Sequence, residues 1–314
     1  MARHASAPQP GDPPRPRGAA SGAEPGGTPG GPVRYAAPVL RDGPEKDANR
    51  TGLEDRERDW FQSHYAESAP NPVGLRERMR RELRSLLRTS GEGRLGRVLS
   101  VGCGNGVFEI LLAPHAEHVV GLDISQVAVE QARVEARARG IENVEFRCQA
   151  LSELLWGETF DGIVCLAFLH HLHEEDVDPF LATIHAHLRP GGFFYSQDPN
   201  QRGILRKVGR RLLGDRYDQH HSEDERELDP GDIERRLVRA GFESVDIGYI
   251  DMTLIPLQYV FSKGPDWLMR PLVWIDRAWC ASPFARWASG FRAFALRRAG
   301  AGPVPEPHTG VAGS

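Results

Sequence analysis

The sequence predicts an α/β fold built on a doubly wound, mostly parallel sheet, and three observations carry that reading. An apolar run, Val98 to Val101, breaks into Gly102-Cys103-Gly104-Asn105-Gly106. Phe108, Ile110, Leu111 and Leu112 then suit a helix starting near Val107, and a second apolar run follows and ends on Asp123. Further strand-like runs appear downstream at Asn143 to Phe146 and Phe160 to Leu166, with another ending at Asp198. Strand, glycine loop, helix, strand, acid is the layout a nucleoside-bearing ligand requires. Glycines let the backbone approach it, and a carboxylate at the end of the next strand can accept from both ribose hydroxyls.

The spacing within the loop narrows the choice of nucleoside. A dinucleotide fingerprint is written G-x-G-x-x-G; here the glycines fall at 102, 104 and 106, and position 107 is Val. Val98 to Gly106 resembles the first motif of the class I S-adenosylmethionine-dependent methyltransferases, with Ser100 where that family commonly has Asp. Asp123 lies 17 residues past Gly106, where the family keeps its ribose-binding acid. Phe160-Asp161-Gly162-Ile163-Val164-Cys165-Leu166, running on into Leu169-His170-His171-Leu172, resembles the family's fourth strand. Leu188-Arg189-Pro190-Gly191-Gly192-Phe193 resembles the turn before its fifth. Asp198-Pro199-Asn200 resembles the end of that strand in members acting on quinones, lipids and small metabolites. The likeness runs from about residue 55 to about residue 250.

The resemblance implies a Rossmann-like sheet of seven strands with a helical insertion between the last two, and S-adenosylmethionine as cofactor. It assigns Gly102, Cys103, Gly104, Asn105 and Gly106 to the methionine half, Asp123 to the ribose and Ile124 to the adenine. Leu166, at the end of the fourth strand, belongs to the same pocket. After the third strand the family usually has Gly-Asp-Ala, whose Asp accepts from the adenine amino group. Here Gln149-Ala150-Leu151 stands in that place: either the cofactor affinity is lower, or Gln149 or Glu153 supplies the acceptor, with the Leu151 amide still able to donate to the ring. Trp60, Phe61 and Tyr65 resemble the N-terminal helix that closes over the cofactor, with packing of the core as the competing role.

At 314 residues the chain suits one α/β domain with additions or two small domains. Residues 1–50 hold ten Pro and eight Gly and little apolar periodicity, and are expected to be disordered, as are 300–314. The intervening chain divides into a cofactor-binding core over 51–250 and a lid with the last strand over 251–299. No secretory signal and no spanning helix is expected. The net charge is close to neutral at −4, and the Arg bias, with only three Lys among 39 basic residues, reads as a codon-composition effect; with no N-P-P-Y-like motif after the fourth strand and no strong basic face, no nucleic-acid partner is expected. Arg76 to Arg88 is basic, yet Leu75, Met79, Leu83 and Leu86 make it a solvated amphipathic helix. Four cysteines without a C-x-x-C pair indicate neither zinc nor disulfides and fit a reducing cytoplasm. Cys103 reads as a small loop residue rather than a nucleophile.

In a doubly wound sheet, ligands bind where the strands end at their carboxyl edge. His170, His171 and Asp198 therefore fall beside the reacting groups. An imidazole titrates near neutrality and suits a general base, and Asp198 can hold its tautomer. A scaffolding role for the two histidines stays open. His173, His185 and His187 do not make a recognisable metal site, and no metal is expected. His220 and His221 sit in a polar stretch, Asp218 to Asp229, expected as part of a lid or as plain solvated loop.

Asp229, Pro230 and Gly241 bracket a helix with Ile233, Leu237 and Ala240 on one side. Val245, Ile247 and Tyr249 alternate as a strand, and Phe291 to Arg298 is the candidate last strand. Between the two, residues 261–300 carry four of the six Trp, with Leu268, Leu272, Ile275 and Trp279 on one helix face and Trp274 and Arg277 elsewhere. A membrane-surface helix, a lid over an apolar substrate and a core helix all fit, and all three give the acceptor site an apolar wall. The whole reads as an S-adenosylmethionine-dependent methyltransferase acting on oxygen or carbon of a small, apolar or lipid-like acceptor in the cytoplasm, with peripheral membrane contact open. The alternative is a non-catalytic protein that keeps the fold as a partner- or membrane-binding module.

Overall fold

Strands β1 (Leu95–Val101), β2 (Ala116–Asp123), β3 (Val144–Cys148), β4 (Phe160–Leu166), β5 (Leu188–Pro199), β6 (Phe242–Ile250) and β7 (Gly290–Arg297) form one sheet in the order β3-β2-β1-β4-β5-β7-β6. The first five are parallel, and β7 runs antiparallel to both β5 and β6. The order reverses between β1 and β4, so a cleft opens there at the carboxyl edge. This computed structural model describes residues 73–91, 93–150, 153, 158–213, 226–252 and 266–299. The tails over 1–50 and 300–314 lie outside the described residues, as do Trp60, Phe61, Tyr65, Leu151, His220 and His221.

Among the described residues seven helices accompany the sheet: α1 (Val73–Ser90), α2 (Val107–Leu112), α3 (Gln126–Ala138), α4 (Glu174–His187), α5 (Ile204–Leu213), α6 (Pro230–Arg239) and α7 (Asp266–Cys280). Strand alternation decides what each meets. Val98, Phe193 and Tyr195 pack with Met79, Leu83 and Leu86 of α1 and Phe108 of α2. Their neighbours Leu99, Val101 and Phe194 pack with Val177, Leu181 and Ile184 of α4 and Ile233 and Leu237 of α6 on the other face. Each such side chain contributes about 1.5–3 kcal/mol by leaving water. Helix α6 starts as its sequence implies: the Asp229 carboxylate accepts from the Gly231 and Asp232 amides at 2.8 and 3.2 Å. Gly241, at φ +95°, follows its end.

Two elements depart from the sequence reading. Leu188 already pairs with Phe160, and the next pair is Phe193 with Gly162, so Arg189 to Gly192 bulge out of β5 instead of preceding it. The bulge swings the Phe193 ring across β4, where a Cβ on Gly162 would lie 2.2 Å from it. In α7, Ile275 is 53% exposed and Trp274 73% exposed, whereas Asp276 is fully buried. The inward face of this helix therefore includes a carboxylate where the apolar stripe placed only hydrophobic residues; the side chains of Leu268 and Leu272 lie outside the described set. Small boundary shifts at β3 and β7 change no face assignment.

Gly162→Ala should force the Phe193 ring aside and cost about 1–3 kcal/mol of stability in a urea titration. An unchanged midpoint would mean that the bulge absorbs the methyl group without strain.

Candidate functional site

The loop between β1 and α2 is built by its own amides. The N–H groups of Gly102 and Cys103 both donate to the Leu122 carbonyl, at 2.8 and 2.9 Å, which ties the loop to the end of β2. The Gly104 N–H donates to Asp123 Oδ2 at 2.7 Å, and the Ser125 N–H donates to Asp123 Oδ1 at 2.9 Å. Each carboxylate oxygen thus keeps a lone pair for a further donor. Burial pushes the Asp123 carboxyl above its ordinary range, while the Ser125 and Gly104 amides pull it back. Gly102 and Gly106 take φ values of +72° and +76°, favoured by glycine. A Cβ at Gly106 would also meet Ala132 and Phe146 at 2.7 Å, so this glycine sets how closely α2 approaches α3 and β3.

The predicted loop residues 102 to 106 and Asp123 therefore form one cluster. Ile124 follows directly, half-buried. Across the cleft, β4 ends on half-buried Leu166, and Ala167 is held at φ +55° while its N–H donates to the Gln197 carbonyl at 2.7 Å. A non-glycine residue in that region is strained, and here the strain turns the chain sharply into Phe168, whose ring covers Gly102. At the Gln149–Ala150 position the Gln149 side-chain amide donates to the Glu153 carbonyl, and the Ala150 N–H donates to a Glu153 carboxylate oxygen at 3.2 Å. Glu153, not Gln149, is the acidic side chain at this corner.

The two histidines divide. His170 is buried; its backbone N–H donates to Asp198 Oδ1 at 3.3 Å and its Nδ1 lies 3.0 Å from the same oxygen. His171 is half-buried, with its ring 4.1 Å from that of His170. When protonated it favours the ionised forms of both Asp123 and Asp198, so it stands within electrostatic reach of both strand ends. Asp198 is fully buried, and burial pushes its carboxyl up to about 7 against the pull of the 168–170 amides. Oδ2 of Asp198 has no hydrogen-bond partner among the described residues. His185 and His187 pack away from the cleft: the former sets its ring edge-on to Phe242, and Nδ1 of the latter meets the Glu158 carbonyl at 2.8 Å.

Sequence reasoning missed Glu109. This residue of α2 lies beneath the glycine loop, buried, accepting from the Ser100 hydroxyl at 2.6 Å. Oε2 has no hydrogen-bond partner among the described residues, and burial lifts the group to about 7. The signal was present as a lone acid between Phe108 and Ile110 in a short apolar helix. Burial also pushes the Cys103 thiol well above its usual range, which keeps it protonated and un-nucleophilic.

A family model described as Methyltransferase domain matches residues 98–192, from β1 to the bulge of β5. The ubiquinone biosynthesis O-methyltransferase of Mesorhizobium japonicum is 33% identical over 122 residues, covering 38% of this chain and 47% of that protein. Its counterpart from Brucella anthropi is 26% identical over 189 residues, covering 58% of this chain and 73% of that protein. The chain thus spans from about half to about three quarters of the length of the curated relatives it matches. Among solved structures, magnesium protoporphyrin IX methyltransferase from Synechocystis PCC 6803 with bound S-adenosylhomocysteine shares the fold at TM-score 0.53 and 18% identity, over 80% of this chain and 99% of that one.

Glu109 gives the site a pH signature. Its folded value of about 7 exceeds the ordinary 4.5, so the stability it contributes is complete below 4.5 and is lost as pH rises through 7. Compared with Glu109→Gln, the wild type should lose roughly 1–3 kcal/mol across that window in paired denaturant titrations. Parallel curves would show that the carboxylate keeps an ordinary affinity for its proton.

Proposed function

We propose that this chain, which carries a class I S-adenosylmethionine-dependent methyltransferase domain, transfers a methyl group to an oxygen of a small apolar acceptor. The observation that carries the reading is the Asp123 carboxylate, fixed by the Gly104 and Ser125 amides at the carboxyl edge of the sheet. The donor set fits the cofactor. Asp123 can accept from both ribose hydroxyls, half-buried Ile124 offers an apolar surface to the base, and Glu153 stands where an acceptor for the adenine amino group is needed. The loop amides are bonded within the protein, and it is the first turn of α2, ahead of the bond from the Ile110 N–H to the Gly106 carbonyl, that suits a carboxylate. When bound, the cofactor supplies an electrophilic methyl group on a sulfonium.

The chain's own part is alignment and removal of the acceptor proton. His171 is the base in this reading, because it is the less buried histidine and lies within electrostatic reach of Asp123 and Asp198. His170 and Asp198 act beneath it, locking the 169–171 turn through two contacts to one carboxylate oxygen. Oxygen as the attacked atom is supported by the names of the curated relatives, which are O-methyltransferases.

An apolar or lipid-like acceptor is supported by the connection between β6 and β7. Trp274, Ile275 and Phe284 are more than half exposed beside exposed Arg277 and Arg286, a composition suited to a bilayer surface. Among the described residues no helix is long and apolar enough to cross a membrane. None of the four cysteines is in a disulfide, which suits a reducing compartment.

Asp123→Ala should weaken S-adenosylhomocysteine binding about ten- to a hundred-fold in calorimetric titration, the equivalent of one charged hydrogen bond. Wild-type affinity in that variant, or no binding by the wild type, would return the fold to a partner-binding role. With a catechol as acceptor, His171→Ala should abolish turnover and leave cofactor affinity intact. His170→Ala should instead lower stability along with activity. Full turnover in His171→Ala would remove it as the base.

A further inference from the structure

A second buried polar cluster lies on the α1 side of the sheet, away from the His170–Asp198 pair. Arg78 and Arg81, one helical turn apart on α1, meet carboxylates from two other elements. Arg78 Nε lies 3.0 Å from Oδ2 of Asp251, the residue just past β6, and its NH2 donates to Gln197 Oε1 of β5 at 2.6 Å. Arg81 lies 3.9 Å from Asp251 and donates to Asp276 Oδ2 of α7 at 2.8 Å. Asp251 and Asp276 are both almost fully buried. The chain of contacts runs from α7 through Asp276, Arg81, Asp251 and Arg78 to Gln197, the neighbour of Asp198.

Its placement gives it a use. The segment holding α7 leaves the sheet after Ile250 and returns at Gly290, two residues that pair with each other at the carboxyl edge. Gly290 also pairs with Pro199, and the Asn200 side chain donates to the Ala288 carbonyl at 2.8 Å, so the segment adjoins the end of β5. Helix α7 shows Trp274 and Ile275 to solvent while burying Asp276, so a charged anchor holds it there. A buried pair fixes geometry sharply, because a carboxylate that loses its guanidinium is left uncompensated.

We propose that Arg81 and Asp276 are positioning residues for the acceptor: their buried ion pair sets α7 against α1 and the ends of β5 and β6, making one wall of the acceptor site. The inference rests on the methyltransferase reading and adds that acceptor affinity, and not cofactor affinity, depends on this pair. The glycine loop and Asp123 lie on the far side of β4, and the loop is tied to the end of β2. Burial pushes Asp251 above the ordinary carboxylate range, with Asp276 adding to the rise and both arginines opposing it. Removing either partner therefore disturbs the whole chain of contacts.

The test compares the full-length wild type with Asp276→Asn and Arg81→Lys. Binding of 4-tert-butylcatechol is followed by tryptophan fluorescence, S-adenosylhomocysteine by calorimetry, and backbone exchange over 266–280 by mass spectrometry. Asp276→Asn should weaken the catechol about ten-fold and speed exchange across α7, with the nucleoside affinity unchanged. Arg81→Lys, which keeps the charge, should fall between it and the wild type. Equal losses for catechol and nucleoside, or no loss of catechol, would overturn the proposal, as would slow exchange in Asp276→Asn. A wild type that binds the nucleoside and not the catechol would also overturn it, whereas one that binds neither overturns the methyltransferase reading itself. Should Asp276→Asn fail to fold, Arg81→Lys decides alone on the ratio of the two affinities.

Discussion

The hydrogen bonds from the loop after β1 to the last turn of β2 are the constraint on which the site depends. A parallel sheet leaves strand ends with amides and carbonyls that point at nothing, and a loop there has to satisfy its own backbone. Here Leu122 and Asp123 take three loop N–H groups between them, one residue after another. The same bonds that close the loop also fix the acid. Loop and acid are one unit held by the pairing of β1 with β2, so the sheet register sets the spacing between glycine backbone and carboxylate.

Above that unit, the site is assembled from charges removed from water. Glu109, Asp198 and Glu82 are all buried carboxyls that burial lifts to about 7, each with one neutral or histidine partner at hydrogen-bond distance. Such groups are costly as anions and stable as acids, so the region around the cleft holds protons near neutrality that an exposed carboxylate would have released. Proton transfer at a hydroxyl acceptor would take place in this setting.

Local patterns were legible wherever one element settled its own fate. The bounds of β4, the start of α2 and the Asp229 cap could be read directly, because alternation, glycine conformation and capping act over a few residues. What was not legible depended on distant partners. The bulge in β5 was read as a turn from Pro190-Gly191-Gly192, since only pairing with β4 shows that Leu188 is already in the sheet. Nothing in its own helix marks Asp276 for burial, and its guanidinium partner lies in another helix, 195 residues away in sequence. The same holds for His170 and His171: their rings lie 4.1 Å apart, and only the position of Asp198 shows which one is tied to the end of β5.

The pairing of Ile250 with Gly290 has a further consequence. A connection whose two ends touch is an excursion from the sheet, not a link within it, and the entropy of closing such an excursion grows only slowly with its length. Residues 251–289 can thus be lengthened, shortened or exchanged while β5, β6 and β7 keep their register. Among the described residues, the contacts to be carried along include those of Asp251 and Asp276 to α1 and those of Asn200 to residues 286–289. On the proposed function, the glycine loop and Asp123 are the part that stays fixed and this insertion the part free to diverge, so that rewriting one segment would change what is modified.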